Sequence, residues 1–485
     1  MAERAPAASE FLALPGLVWA SPPAAAQAQP GVQRRIELLV TLLFWLLVGE
    51  GALRKWVAPQ LSQVLFFVRD PVVLLIYWFA LRAGVLRGAS AYLRVGLVFA
   101  VLALPLAFAQ LAALGQTQLL SVVIYGWRQY FLYLPLPFIM AGTFTHEAVH
   151  RFARHVCVAV IITAPLVFLQ FHAPSGAVIN RGIAEDERLQ FQSFAYTGGL
   201  VRPSGTFTST VGVTELVSSS FALLLALWLT PTGRRGLSAP LLLAGTAATA
   251  ICLALSGSRA AFVHCGIVML SALALGLATR ERAVRVRAMY LPLALAAGIA
   301  VLYPLLFPDA LSAMLSRVSE AHAAESQFSS AGIFGRAAYE TIDFMSFMAD
   351  APLMGYGLGL GGNGRSYFTF TDAGFLARIG AESDWSRHIV DLGPVVGVLF
   401  ILYRIAFTLN VFGLAWTATR RAGSPLPLLL FGYVGIGLFY GQLTGHGTVG
   451  GFLWLFLGLC LASCKIAPVS APPAAPVGPR WKFIE

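Results

Sequence analysis

About twelve unbroken apolar runs, each about 20 residues long, limit what this chain can fold into. A helix rises ~1.5 Å per residue, so about 20 residues cross the ~30 Å hydrocarbon core of a bilayer. The runs are 36–53, 62–81, 95–114, 119–141, 155–173, 211–230, 239–256, 260–278, 289–307, 388–412, 426–443 and 447–464. In lipid every backbone N–H and C=O must be satisfied internally, which leaves helices or closed barrels. Barrel strands alternate apolar and polar residues, and these runs do not. The expected fold is an all-α polytopic membrane protein with about twelve transmembrane helices. Only 11% of the 485 residues are charged, against about 25% in soluble proteins.

Basic residues orient the spans, because short loops rich in Lys and Arg stay cytoplasmic. Arg34/Arg35, Arg82/Arg87/Arg94, Arg151/Arg154, Arg234/Arg235, Arg280/Arg282/Arg285/Arg287, Arg420/Arg421 and Lys465 occupy every second junction. Both termini are therefore expected to be cytoplasmic; the short loop with Arg54/Lys55 runs against the rule. Residues 36–465 form the bundle. The Ala/Pro-rich segments 1–35 and 466–485 read as disordered tails. Proline interrupts 11–30, so the first span reads as an uncleaved signal anchor. Two long segments then face outward, 174–210 and a large loop, 308–387. The net charge of +11 is mostly these arginines and argues for topology, with no nucleic-acid partner. Cys157, Cys252, Cys265, Cys460 and Cys464 fall in or beside spans and read as small buried side chains.

Two motifs resemble chemistry and are expected to be structural. His146-Glu147-Ala148-Val149-His150 has HExxH spacing, which on a helix presents two imidazoles for zinc. It follows Thr145, a residue type that caps helices, at a cytoplasmic junction, no third ligand accompanies it, and a helix start with an acid near its positive end accounts for it. Gly357-Leu358-Gly359-Leu360-Gly361-Gly362 has GxGxxG spacing, but a dinucleotide site needs a strand before it and a helix after it. A tightly turning loop is expected instead. Gly393/Gly397, Gly437/Gly441 and Gly441/Gly445 are spaced for close helix packing. The sequence has no Walker A motif and no Asp-x-Asp pair. Neither a metal nor a cofactor is expected.

Ionisable groups inside spans are rare and functional by default. Arg69-Asp70, Arg128, Arg259 and Arg387-His388 are such groups. Arg69 and Asp70 are adjacent, point apart on a helix and each need another partner. Arg202 and Arg259 fall at the outward ends of spans, beside small residues that leave room for a ligand. A guanidinium fork matches phosphate, so two or three around one cleft suit a pyrophosphate. Interfacial arginines reaching for lipid headgroups are the plainer alternative. Glu382, Asp384, Arg387 and His388 crowd the point where the large loop enters a span. A carboxylate at such an edge suits a general base.

Taken in order, these motifs resemble the O-antigen ligase and Wzy-type O-antigen polymerase superfamily. Arg202-x-x-Gly205-Thr206-Phe207, Ser256-x-Ser258-Arg259, Gly335-Arg336, Pro352-Leu353-x-Gly355-x-Gly357-x-Gly359 and Asp391-Leu392-Gly393-Pro394 carry the resemblance, across about 195–400. Glu382-Ser383 stands where the family commonly has His-Asn, and His388 comes six residues later. That departure is similar to the exopolysaccharide polymerase branch, in which an acid takes the role. The resemblance implies a GT-C-like bundle in the inner membrane with short helices in the periplasmic loop. It implies metal-independent transfer from an undecaprenyl-pyrophosphate-linked glycan to a glycan acceptor, and the absence of a clear nucleophile pair points to a single, inverting displacement. Arg259, Arg202, Arg336 and Arg128 are the expected pyrophosphate-binding residues. Glu382 is the expected base, with His388 second and Arg387 assisting. Ligation to lipid A–core is the alternative within the family, and a lipid-linked-sugar transporter is the alternative outside it. A chain-length regulator is an expected partner class.

The topology is directly testable. Single cysteines at positions 190 and 365 should react with an impermeant thiol reagent in intact spheroplasts, and those at 234 and 283 should not. The opposite pattern would put the arginine motifs in the cytoplasm.

Overall fold

A computed structural model describes residues 29–87, 90–114, 120–183, 200–279, 281–326, 342–362, 381 and 383–465. The described residues are helical throughout the spans. They form α1 (Pro30–Ala52), α2 (Asp70–Arg82), α3 (Ala91–Leu114), α4 (Leu120–Trp127), α5 (Leu136–Thr143), α6 (His146–His172) and α7 (Thr210–Leu229). They continue as α8 (Ala239–Leu255), α9 (Arg259–Ala278), α10 (Arg282–Leu306), α11 (Pro308–Ser326), α12 (Phe344–Asp350), α13 (Asp384–Ala422), α14 (Leu426–Phe439) and α15 (Gly447–Lys465). Nine helical stretches among the described residues are long and apolar enough to cross a membrane. The other three expected spans are the short helices α8 and α14 and a broken one. In the expected span 119–141, a π-turn at Arg128–Leu132 separates α4 from α5.

Burial separates the centre from the rim. The apolar windows of α7 and α15 are 89% and 83% buried, and that of α10 only 6%. On α10, Leu293, Val301, Leu302 and Leu305 are exposed, as a helix facing lipid requires. At the centre, Phe207, Phe452, Phe456 and Tyr433 stack and tilt against one another between α7, α14 and α15.

Local sequence signals set the helix starts. Thr145 caps α6 by accepting from Ala148 N, Ser258 caps α9 through Ala261 N, and Ser383 caps α13 through Ser386 N. His146 and His150 face each other with Nε2 atoms 3.0 Å apart, and Glu147 pairs with Arg151. Among the described residues no group of three His, Cys, Asp or Glu could hold a metal.

The glycine-rich stretch of the large loop is more enclosed than a surface turn. Leu358, Leu360, Gly361 and Gly362 are buried. A Cβ on Gly126 of α4 would lie 2.5 Å from Gly359 N, so the two backbones pack in contact. Tyr356 N donates to Val390 O at 2.8 Å, and Gly361 N donates to Asp391 Oδ1 at 2.7 Å. These contacts meet α13 where Gly393 (φ 80°) and Pro394 kink it, and only glycine adopts that φ without strain. The loop is thus bolted to the bundle at the end where the site forms.

Gly51 shows how tightly that end is packed. A Cβ there would lie 2.6 Å from Thr208 N, against the backbone of the 206–208 segment. Gly51→Ala should cost about 1–3 kcal/mol by overpacking, read as a lower thermal midpoint in detergent.

Candidate functional site

The two short motifs at 202–207 and 256–259 come together because each is built as a turn held by distant residues. In the first, Gly205 takes φ 56°, and its N–H donates to Gln170 Oε1 at 2.7 Å. Lys55, fully buried, donates to Ser204 Oγ at 2.9 Å and to Gly205 O at 2.8 Å. Thr206 Oγ1 donates to Val48 O at 2.6 Å. This gives a role to Lys55, which in the sequence stood out only as part of a loop against the charge rule. Glu50 pairs with Arg54 at 2.9 Å and with Arg69 at 2.7 Å, while Lys55 fixes the backbone next to Arg202.

In the second motif Gly257 also takes φ 56°. Thr214 Oγ1 of α7 donates to Ser258 Oγ at 2.8 Å, so the start of α9 sits level with the second turn of α7. Arg317, from α11, donates to Gly257 O at 2.7 Å. Sequence reading did not single out Arg317. It lies in a weakly apolar part of the loop, and no motif marks it.

Arg202, Arg259 and Arg317 line one cavity of about 360 Å³, together with Glu215, His264 and Gln442. Tyr433, Val449 and Leu453 add an apolar wall. Arg259 is the first residue of α9, where helix N–H groups add to the positive potential. The cavity is therefore a cationic chamber next to apolar helix faces. It suits a group of concentrated negative charge attached to something apolar.

The other expected site residues lie elsewhere. Arg128 is buried and donates through Nε to Asp70 Oδ2 at 2.6 Å, over the Phe66 ring. Asp70 and Arg69 thus find separate partners, Arg128 and Glu50. Arg336 and Glu382 fall outside the described residues. Arg387 and His388 are fully buried and line a polar network, not the cavity. Arg387 pairs with Asp384 and donates to Gly361 O at 3.0 Å and Ala381 O at 3.1 Å. Arg404, from farther along α13, donates to Asp384 Oδ2 at 2.9 Å and to His388 Nε2 at 2.8 Å. Arginine can only donate, so His388 Nε2 accepts and Nδ1 carries the hydrogen. Nδ1 then donates to Tyr130 OH at 2.9 Å, and that hydroxyl donates to Asp391 Oδ2 at 3.0 Å. Both ring nitrogens of His388 are occupied.

The network shapes the cavity from behind. Arg404 also donates to Gly437 O and Gly441 O, both at 2.9 Å, and these two glycines line the cavity. Thr444 N donates to Asp384 Oδ2 at 3.0 Å. His446, in the loop before α15, lies in the same field: burial, then Arg387 and Arg69, pull its imidazole down to about 4.

A family model described as O-Antigen ligase matches residues 244–401. The match spans α8 through the first half of α13, including Arg259 and Arg317, and over that segment supports the resemblance to the O-antigen ligase and Wzy-type superfamily. No curated protein matches the chain.

Removing one partner of a buried ion pair strands the other and costs about 3–5 kcal/mol. Arg404→Ala should therefore lose folded protein, read as a lower yield of monodisperse material and a lower thermal midpoint.

Proposed function

We propose that the protein is a metal-independent glycosyltransferase that polymerises lipid-linked oligosaccharide repeats at the periplasmic face of the inner membrane. The observation that carries this reading is the convergence of Arg202, Arg259 and Arg317 on one cavity. The match to the O-antigen ligase family supports the same reaction class. The donor is a glycan on undecaprenyl pyrophosphate, whose tail lies against the apolar wall and whose pyrophosphate meets the arginines.

In this reading an acceptor hydroxyl attacks the anomeric carbon in a single displacement, inverting it. The lipid pyrophosphate leaves with the bonding electrons. Charge that grows on the leaving oxygen is stabilised by guanidinium groups already in place, so little reorganisation accompanies the step. Lys55 acts through the Ser204–Gly205 turn to hold Arg202 at the cavity. The Glu382-Ser383 sequence favours polymerisation over ligation to lipid A–core. Ligation remains the second reading, because the matching family is described by that activity.

The test is reconstitution with undecaprenyl-pyrophosphate oligosaccharide, with and without a lipid A–core acceptor, reading product length. Long glycan made without that acceptor supports polymerisation; product formed only with it identifies a ligase. Arg259→Ala should lower turnover about 10²–10³-fold while the protein still accumulates. Arg259→Lys should restore little, since an ammonium lacks the planar fork. Arg317→Ala should act in the same direction. Full activity of both alanine variants would sink the clamp.

A further inference from the structure

The cavity contains one acid that the arginine clamp leaves unused. Glu215, in the second turn of α7, is 3% exposed and lines the cavity. Its Oε2 accepts the Tyr433 hydroxyl of α14 at 2.5 Å. Among the described residues no cation forms an ion pair with it. A buried acid in a membrane span is costly to keep without a use. The Thr214–Ser258 hydrogen bond places the residue before Glu215 beside the residue before Arg259. Carboxylate and guanidinium therefore line the same chamber at the same height.

We propose that Glu215 is the proton acceptor for the incoming sugar hydroxyl. This rests on reading the cavity as the donor pyrophosphate site. The hydroxyl proton passes to a Glu215 carboxylate oxygen as the hydroxyl oxygen bonds to the anomeric carbon. The bond from that carbon to the pyrophosphate oxygen breaks, and its electron pair stays on the lipid pyrophosphate. The carboxyl group then returns its proton to water. Tyr433 holds Oε2 and leaves Oε1 for the hydroxyl. The groups facing Glu215 are Tyr433 from α14, His264 from α9, and the arginines from the loop before α7, from α9 and from α11. Of these, Tyr433 alone hydrogen-bonds the carboxylate among the described residues. His264 is directed through Nδ1 to Ser218 Oγ at 3.3 Å.

The experiment uses the full chain in bilayers, with undecaprenyl-pyrophosphate oligosaccharide as donor. Single-turnover rate, donor binding and the pH profile are measured for wild type, Glu215→Gln, Tyr433→Phe and Glu382→Gln. Glu215→Gln should bind donor and transfer about 10²–10⁴-fold more slowly. Tyr433→Phe removes a hydrogen bond to the charged carboxylate, so the acid limb of the rate profile should move to higher pH. An acid with only a packing role would leave that limb in place. A wild-type rate in Glu215→Gln overturns the proposal, as does loss of donor binding with the single-turnover rate retained. So does loss of transfer in Glu382→Gln with Glu215→Gln active. If Glu215→Gln fails to accumulate, an unshifted acid limb in Tyr433→Phe overturns it. No product from wild type with any lipid-linked donor overturns the parent reading and this one together.

Discussion

The buried contact of Arg404 with Asp384 and His388 is the interaction on which the site depends. It ties two turns of α13 to each other and, through Gly437 O and Gly441 O, to the end of α14. Taking charges out of water is expensive, and the cost is offset only when each donor and acceptor is met. Here the network meets them with carbonyls from Gly361, Ala381, Leu438 and both glycines. A half-formed version would be unfavourable, so the network holds one arrangement of α13, α14 and the glycine-rich loop. The cavity wall inherits that arrangement.

The cavity itself follows a different electrostatic rule. Arg387 and Arg404 are both tied to Asp384 inside the protein, whereas Arg202, Arg259 and Arg317 line a cavity. Cations placed around a void with an apolar side favour a ligand that is anionic at one end and greasy at the other. A lipid pyrophosphate has that form, and in the proposed reaction the arginines would supply the stabilisation that a divalent metal gives many transferases. Lys55 extends the same logic behind the site. It is a buried cation satisfied by Ser204 and Gly205, and it makes the Arg202 turn part of the rigid bundle.

Arg202 and Arg259 were legible because small residues beside an arginine at a span end leave ligand space, and the structure places both on one cavity. Arg387 and His388 looked alike in sequence and lie in an enclosed network. Nothing local distinguishes an arginine that meets Asp384 across one helical turn from one that faces a void. Arg317 and Glu215 passed unnoticed for related reasons. Arg317 sits in a loop helix without a motif, and Glu215 is a lone acid in an apolar run. The role of Lys55 was not readable locally, since its partners lie about 150 residues away.

The sequence by itself determined the class of fold and the positions of the spans, because the length and polarity of an apolar run are local properties matched to bilayer thickness. The turns at Gly205 and Gly257 and the kink at Gly393, which in the sequence reads only as a helix-packing glycine, became visible in the structure, where each takes a positive φ that other residues rarely adopt. Only the tertiary structure decided which arginines line the cavity and which are tied into the buried network. Whether an arginine is free to bind depends on the counter-charges and carbonyls brought to it by other helices, and that pairing exists only once the helices have packed.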